Sequence, residues 1–133
     1  MTASQTASAL QQAAAGLTYP SETDAPWVAF AWPTAQGEPT AAGVLKLGRH
    51  RSKPPVEEQT VDEFFAPLVQ EQPWYGEEEE ADAAKYRALL EAVKRLLTNP
   101  KVFKVGSRKR TDYVVGQAKE GGWAGLKTTA VET

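Results

Sequence analysis

Lys101 to Ala130, KVFKVGSRKRTDYVVGQAKEGGWAGLKTTA, is the stretch that decides the fold. It holds three apolar runs, Lys101 to Val105, Asp112 to Gln117 and Trp123 to Ala130. Gly106-Ser107 and Gly121-Gly122 fall between them. β-branched and aromatic residues favour strands, and glycines supply the backbone that tight turns need. Connections this short join antiparallel neighbours, so the C-terminal third reads as a three-stranded meander.

Upstream, Tyr86, Leu89, Leu90, Val93, Leu96 and Leu97 form a helical stripe, which predicts a helix over Glu77 to Thr98 ended by Asn99-Pro100. Its acids come first, and Lys94 and Arg95 come late, as a helix dipole favours. Thr60-Val61-Asp62-Glu63 has the spacing of a capping box. It opens a short helix carrying Val61, Phe64 and Phe65 and limited by Pro67. Earlier still, Trp27 to Trp32 reads as a strand closed by Pro33, and Val44 to Leu47 as a second, short one. Residues 33–42 and 48–59 read as loops, and Thr18 to Pro26 as turn-like. Leu10, Ala14 and Leu17 mark an N-terminal helix, with Gly16 as its stop. The pattern is an α+β domain, its helices covering a largely antiparallel sheet.

The 133 residues suit one domain, 1–133. With 41% hydrophobic and 24% charged residues the chain reads as an ordinary globular protein. There is no cysteine, which removes disulfides, thiolate metal sites and a thiol nucleophile. No apolar run approaches the roughly 20 residues that span a bilayer. The N-terminus lacks the pattern of a signal peptide, so the expected setting is cytoplasmic, with no membrane association. Net charge is −2, but unevenly spread. Residues 1–80 hold 12 acids and 4 bases, and residues 81–133 hold 5 acids and 11 bases. Such a split either creates a field for a partner or is mixed by folding into ordinary surface charge.

No catalytic constellation emerges. The one histidine, His50, sits between Arg49 and Arg51 in a loop with no converging partners, and reads as a surface residue. No phosphate loop, nucleophile elbow or metal pattern is present, so neither enzymatic activity nor a cofactor is expected. Glu77 to Glu80 reads as a solvated first helical turn, and Arg108-Lys109-Arg110 as a solvated hairpin turn. Gln72-Pro73-Trp74-Tyr75-Gly76 is kept irregular by Pro73 and Gly76. An aromatic pair there is either a plug over the core or a binding anchor. Ser21-Glu22-Thr23-Asp24 fits an Asx-type turn. The final residues, Val131-Glu132-Thr133, fit a frayed strand end. Thr133 also carries a main-chain carboxylate and a hydroxyl, hard oxygen ligands suited to magnesium.

At these residues the sequence resembles the nuclease A inhibitor family, which blocks a sugar-non-specific, ββα-metal nuclease. The matching pieces are Gly16-Leu17 with Ser21-Glu22 and Pro26; Phe30-Ala31-Trp32; Val61 to Phe65; Trp74-Tyr75; Lys85 with Leu89, Leu90 and Glu91; Asn99 to Val102; Asp112 to Gly116; and Ala124-Gly125 with Val131-Glu132-Thr133. Their order and spacing cover nearly the whole chain. Residues 33–58 diverge most, and Pro73 and Arg108-Lys109-Arg110 depart from the family pattern.

The resemblance implies a three-layer α-β-α sandwich and a protein partner, a Mg-dependent nuclease. It implies that Thr133 reaches the magnesium of that nuclease, so the chain has no metal site of its own. It implies that Glu22 binds near the nuclease active site, and that Gln72 and Trp74 anchor the complex. Direct binding of nucleic acid is not expected. The competing expectations are an interaction module of the same fold with a non-nuclease partner, and nucleic-acid binding through the basic C-terminal half.

Overall fold

In the computed structural model, residues 1–20, 24–51, 53–70 and 72–131 are described. Val114 and Val115 are neighbours in sequence, yet both are fully buried. Successive strand residues point to opposite faces, so their strand must be covered on both sides. It is β6 (Lys109–Gln117), the middle strand of a five-stranded sheet. The spatial order is β3 (Val28–Trp32), β7 (Trp123–Val131), β6, β5 (Thr98–Gly106) and β4 (Val56–Thr60), and every pairing is antiparallel.

Val114 faces a cluster with Val102 and Leu126 from the sheet and Leu10, Phe65, Leu89 and Val93 from three helices. These helices are α1 (Ala3–Ala13), α3 (Val61–Val69) and α4 (Glu77–Leu96). Tyr113 and Val115 face the other side, with Phe103, Trp123 and Val44. Val44 belongs to α2 (Ala41–Leu47). The sheet therefore has a distinct hydrophobic cluster on each face.

The meander follows the sequence reading, each strand reaching slightly further than expected. Gly106 opens the β5–β6 turn at φ 108°, opposite Arg110. A Cβ there would sit 2.5 Å from the Lys109 carbonyl oxygen, so both the torsion and the space require glycine. The α3 capping box is present: Glu63 N donates to Thr60 Oγ1 and Thr60 N to Glu63 Oε1, at 3.0 and 3.1 Å. A second box, between Thr2 and Gln5, caps α1.

Several expectations are corrected. Val44 to Leu47 is helix, not strand. Thr40 caps it by accepting from Gly43 N, and the preceding alanines supply helical propensity that a four-residue apolar run conceals. The last third of the expected 48–59 loop belongs to the edge strand β4, whose exposed Glu57 and Glu58 give it the composition of a loop. Helix α3 runs two residues past Pro67. Helix α4 stops at Leu96, and Asn99-Pro100 lies within β5, where Asn99 takes φ 51° at a shift in register. The turn-like segment contains a small hairpin, β1 (Thr18–Tyr19) against β2 (Ala25–Pro26).

The outer edge of β3 meets a side chain of α1. Gln11 Nε2 donates to the Trp27 carbonyl at 3.0 Å, and Ala29 N donates to Gln11 Oε1 at 2.8 Å. One amide thus makes the two bonds that a neighbouring strand would make.

Candidate functional site

The α3–α4 connection is pinned at both ends. Tyr75 N donates to the Gln72 carbonyl at 3.0 Å, and Gly76 N donates to Glu79 Oε2 at 3.0 Å. Between them Trp74 is 76% exposed, the most exposed of the large hydrophobic side chains described. Its ring meets Tyr75 edge to face, with centroids 6.4 Å apart. Trp74 is therefore no plug over the core, and Gln72 is half-buried beside it.

The β1–β2 hairpin presents the other part of this end. Three elements hold it. Tyr19 stacks on Phe64 of α3, with centroids 5.4 Å apart and planes at 9°. Thr128 of β7 donates from Oγ1 to the Pro26 carbonyl at 3.0 Å. Tyr86 of α4 donates to the Thr18 carbonyl, while Trp27 Nε1 donates to the Tyr86 hydroxyl at 3.1 Å. Burial pushes the Tyr86 phenol up to about 12, and the nearby Asp82 and Asp24 charges act in the same direction. At neutral pH it is a proton donor, as the bond to Thr18 requires.

Between hairpin and loop lies a pocket of about 290 Å³. Pro20 and Asp24 form the hairpin wall, Tyr75 and Glu79 the loop wall, and Leu68 and Tyr86 lie between. Glu22 falls among residues 21–23, outside the described residues, and Thr133 lies outside them too. Pro20 and Asp24 line the pocket, and β7 is tied to β2 through Thr128, three residues before Val131. Gln72 and Trp74 stand in the loop whose Tyr75 completes the opposite wall.

The basic 108–110 segment is not uniformly a solvated turn. Arg108 and Lys109 are exposed, but Arg110 is in β6 and grips Asp112, which is wholly buried. Nε to Oδ1 is 2.8 Å and Nη2 to Oδ2 is 3.3 Å. Residues two apart on a strand share a face, so alternation along Arg110-Thr111-Asp112 was the signal for this pair. The sequence reading missed it, along with the Tyr19–Trp27–Tyr86 support of the hairpin. His50 is also not a bare surface residue: it is half-buried, its Nε2 lying 2.8 Å from the Tyr113 hydroxyl. Glu77 to Glu80 are exposed, as a solvated first turn requires. Among the described residues no group of three His, Cys, Asp or Glu side chains is placed to hold a metal ion.

An exposed tryptophan, a pocket beside it and a firmly supported hairpin gather at one end of this α+β domain. A family model described as nuclease A inhibitor-like protein matches residues 4–133, and the chain belongs to that family. No curated protein matches it. None of the described helices is long and apolar enough to cross a membrane.

Proposed function

We propose that the protein is a non-catalytic, reversible inhibitor that plugs the active site of a Mg-dependent, sugar-non-specific ββα-metal nuclease. Family membership supports this reading, and the observation that carries it is Trp74, held 76% exposed by a pinned loop beside a pocket. Burying this exposed tryptophan against a partner would gain hydrophobic free energy, and tryptophan is enriched at binding hot spots. The hydrophobic clusters on the two faces of the sheet support the three-layer α-β-α arrangement.

In this reading Trp74 supplies desolvated contact area and Gln72 directional hydrogen bonds. Glu22 offers a carboxylate to a site that is cationic because it binds phosphates. Thr133 brings its carboxylate and hydroxyl to the magnesium of the nuclease, in place of phosphate oxygens.

The test is titration against such a nuclease with magnesium present. Trp74→Ala is expected to weaken inhibition by about 2 kcal/mol, roughly thirtyfold. A short extension beyond Thr133 is expected to weaken it as well. Full inhibition by the extended chain overturns the role of Thr133, and no inhibition of any nuclease of this type overturns the whole reading.

A further inference from the structure

The α2 side of the sheet is only partly covered. Helix α2 ends at Gly48, and Arg49 takes left-handed backbone, φ 60°, which turns the chain and lays His50 against Tyr113. A Cβ on Gly48 would sit 2.6 Å from the Tyr113 hydroxyl, so glycine is what leaves that oxygen room. Beyond this point a pocket of about 360 Å³ opens beside the buried Tyr113, where Lys127 and Thr129 of the sheet are exposed. Its floor is two rows of cross-strand partners, Thr111 opposite Thr129 and Tyr113 opposite Lys127. Val28, 47% exposed, forms an apolar rim.

The chemistry of this lining is one-sided. Among the described residues it offers an ammonium, an imidazole, a phenol and threonine hydroxyls, and no carboxylate. Among the described residues, Lys127 makes no ion pair and the Thr111 and Thr129 hydroxyls make no hydrogen bond. Donors and positive charge gathered without an acceptor of opposite charge suit an oxyanion. We propose that this pocket binds a phosphate group. Lys127 supplies the counter-charge, Thr111, Thr129 and Tyr113 donate through their hydroxyls, and His50 fixes the hydroxyl of Tyr113. The pocket is larger than a lone phosphate, so the group is either free phosphate or the phosphate of a nucleoside monophosphate.

The site needs no nuclease, and neither does its test. Amide and side-chain resonances of the full chain are followed by NMR during titration with inorganic phosphate, and separately with a nucleoside 5′-monophosphate, at constant ionic strength. Saturable shifts confined to Thr111, Tyr113, Lys127, Thr129 and the His50 ring are expected. Lys127→Gln, an exposed position, should weaken binding about tenfold, and Thr129→Val should weaken it too. Tighter binding of the monophosphate identifies a nucleotide ligand, and equal binding identifies the phosphate alone; both support the site. Shifts spread over the surface lysines, or affinities unchanged in both variants, overturn it.

Discussion

Tyr86 shows how much a single residue carries. Its hydroxyl accepts from Trp27 and donates to the Thr18 carbonyl, joining α4, the start of β3 and the hairpin. Burial raises its phenol from the ordinary 10.0 to about 12. Between these values the unfolded chain has lost the proton and the folded chain keeps it, so stability is complete below about pH 10 and drains as pH rises towards 12. The slope should be of order 1 kcal/mol per pH unit. Denaturant melts at about pH 9 and about pH 11 will show a larger loss for wild type than for Tyr86→Phe, which cannot ionise. Burial also raises the Tyr113 phenol, but this is common to both proteins and cancels. Phe at position 86 leaves the Trp27 indole N–H without its partner, so the variant starts lower, by about 1–3 kcal/mol. None of this was legible in sequence. Tyr86 appeared only as one member of an apolar stripe, because a hydroxyl that bonds across 68 residues leaves no local trace.

Among the elements, those with strong local signals were readable. The meander showed itself through glycines at its turns, and α4 through its stripe and charge polarity. The capping box of α3 was correctly placed, and Thr60→Ala should cost about 1 kcal/mol, measured as a shift in the denaturation midpoint with unchanged m-value. That substitution leaves the β4 backbone pairing to Lys101 in place, so the loss belongs to the helix cap. Strand β4 and helix α2 escaped for opposite reasons. Glu57 and Glu58 are what an edge strand needs and also what a loop contains. Val44 to Leu47 is too short for periodicity to separate helix from strand, and the deciding residue, Thr40, lies outside the run. At the candidate site the irregular loop was recognisable from Pro73 and Gly76 around Trp74. The pocket was not, because its walls come from the hairpin, α3 and α4.

For the whole molecule, the fold undoes the charge division written along the chain. Lys94 pairs with Asp62 at 2.6 Å, Lys101 approaches Glu38 at 3.9 Å, and Glu57 stands opposite Lys104 across β4 and β5. Acids of the first part thus meet bases of the second, and the lopsided halves become mixed surface charge. The layering makes a prediction of its own. Central β6 is paired along both edges, and Val114 and Val115 are fully buried on its opposite faces, so their amides should exchange with solvent only through global unfolding. The amides of β4, at the edge of the sheet, should exchange faster through local opening. Native-state hydrogen exchange in mild denaturant checks both: a protection free energy at Val114 well below the global value would contradict a single cooperative core.

Gln11 occupies part of the β3 edge of the sheet. An uncovered edge strand presents unpaired backbone groups to which another chain can add. By occupying the bonding positions at the Trp27 carbonyl and the Ala29 amide, one helix side chain blocks strand addition at the start of that flank, so a single amide guards the molecule there against self-association.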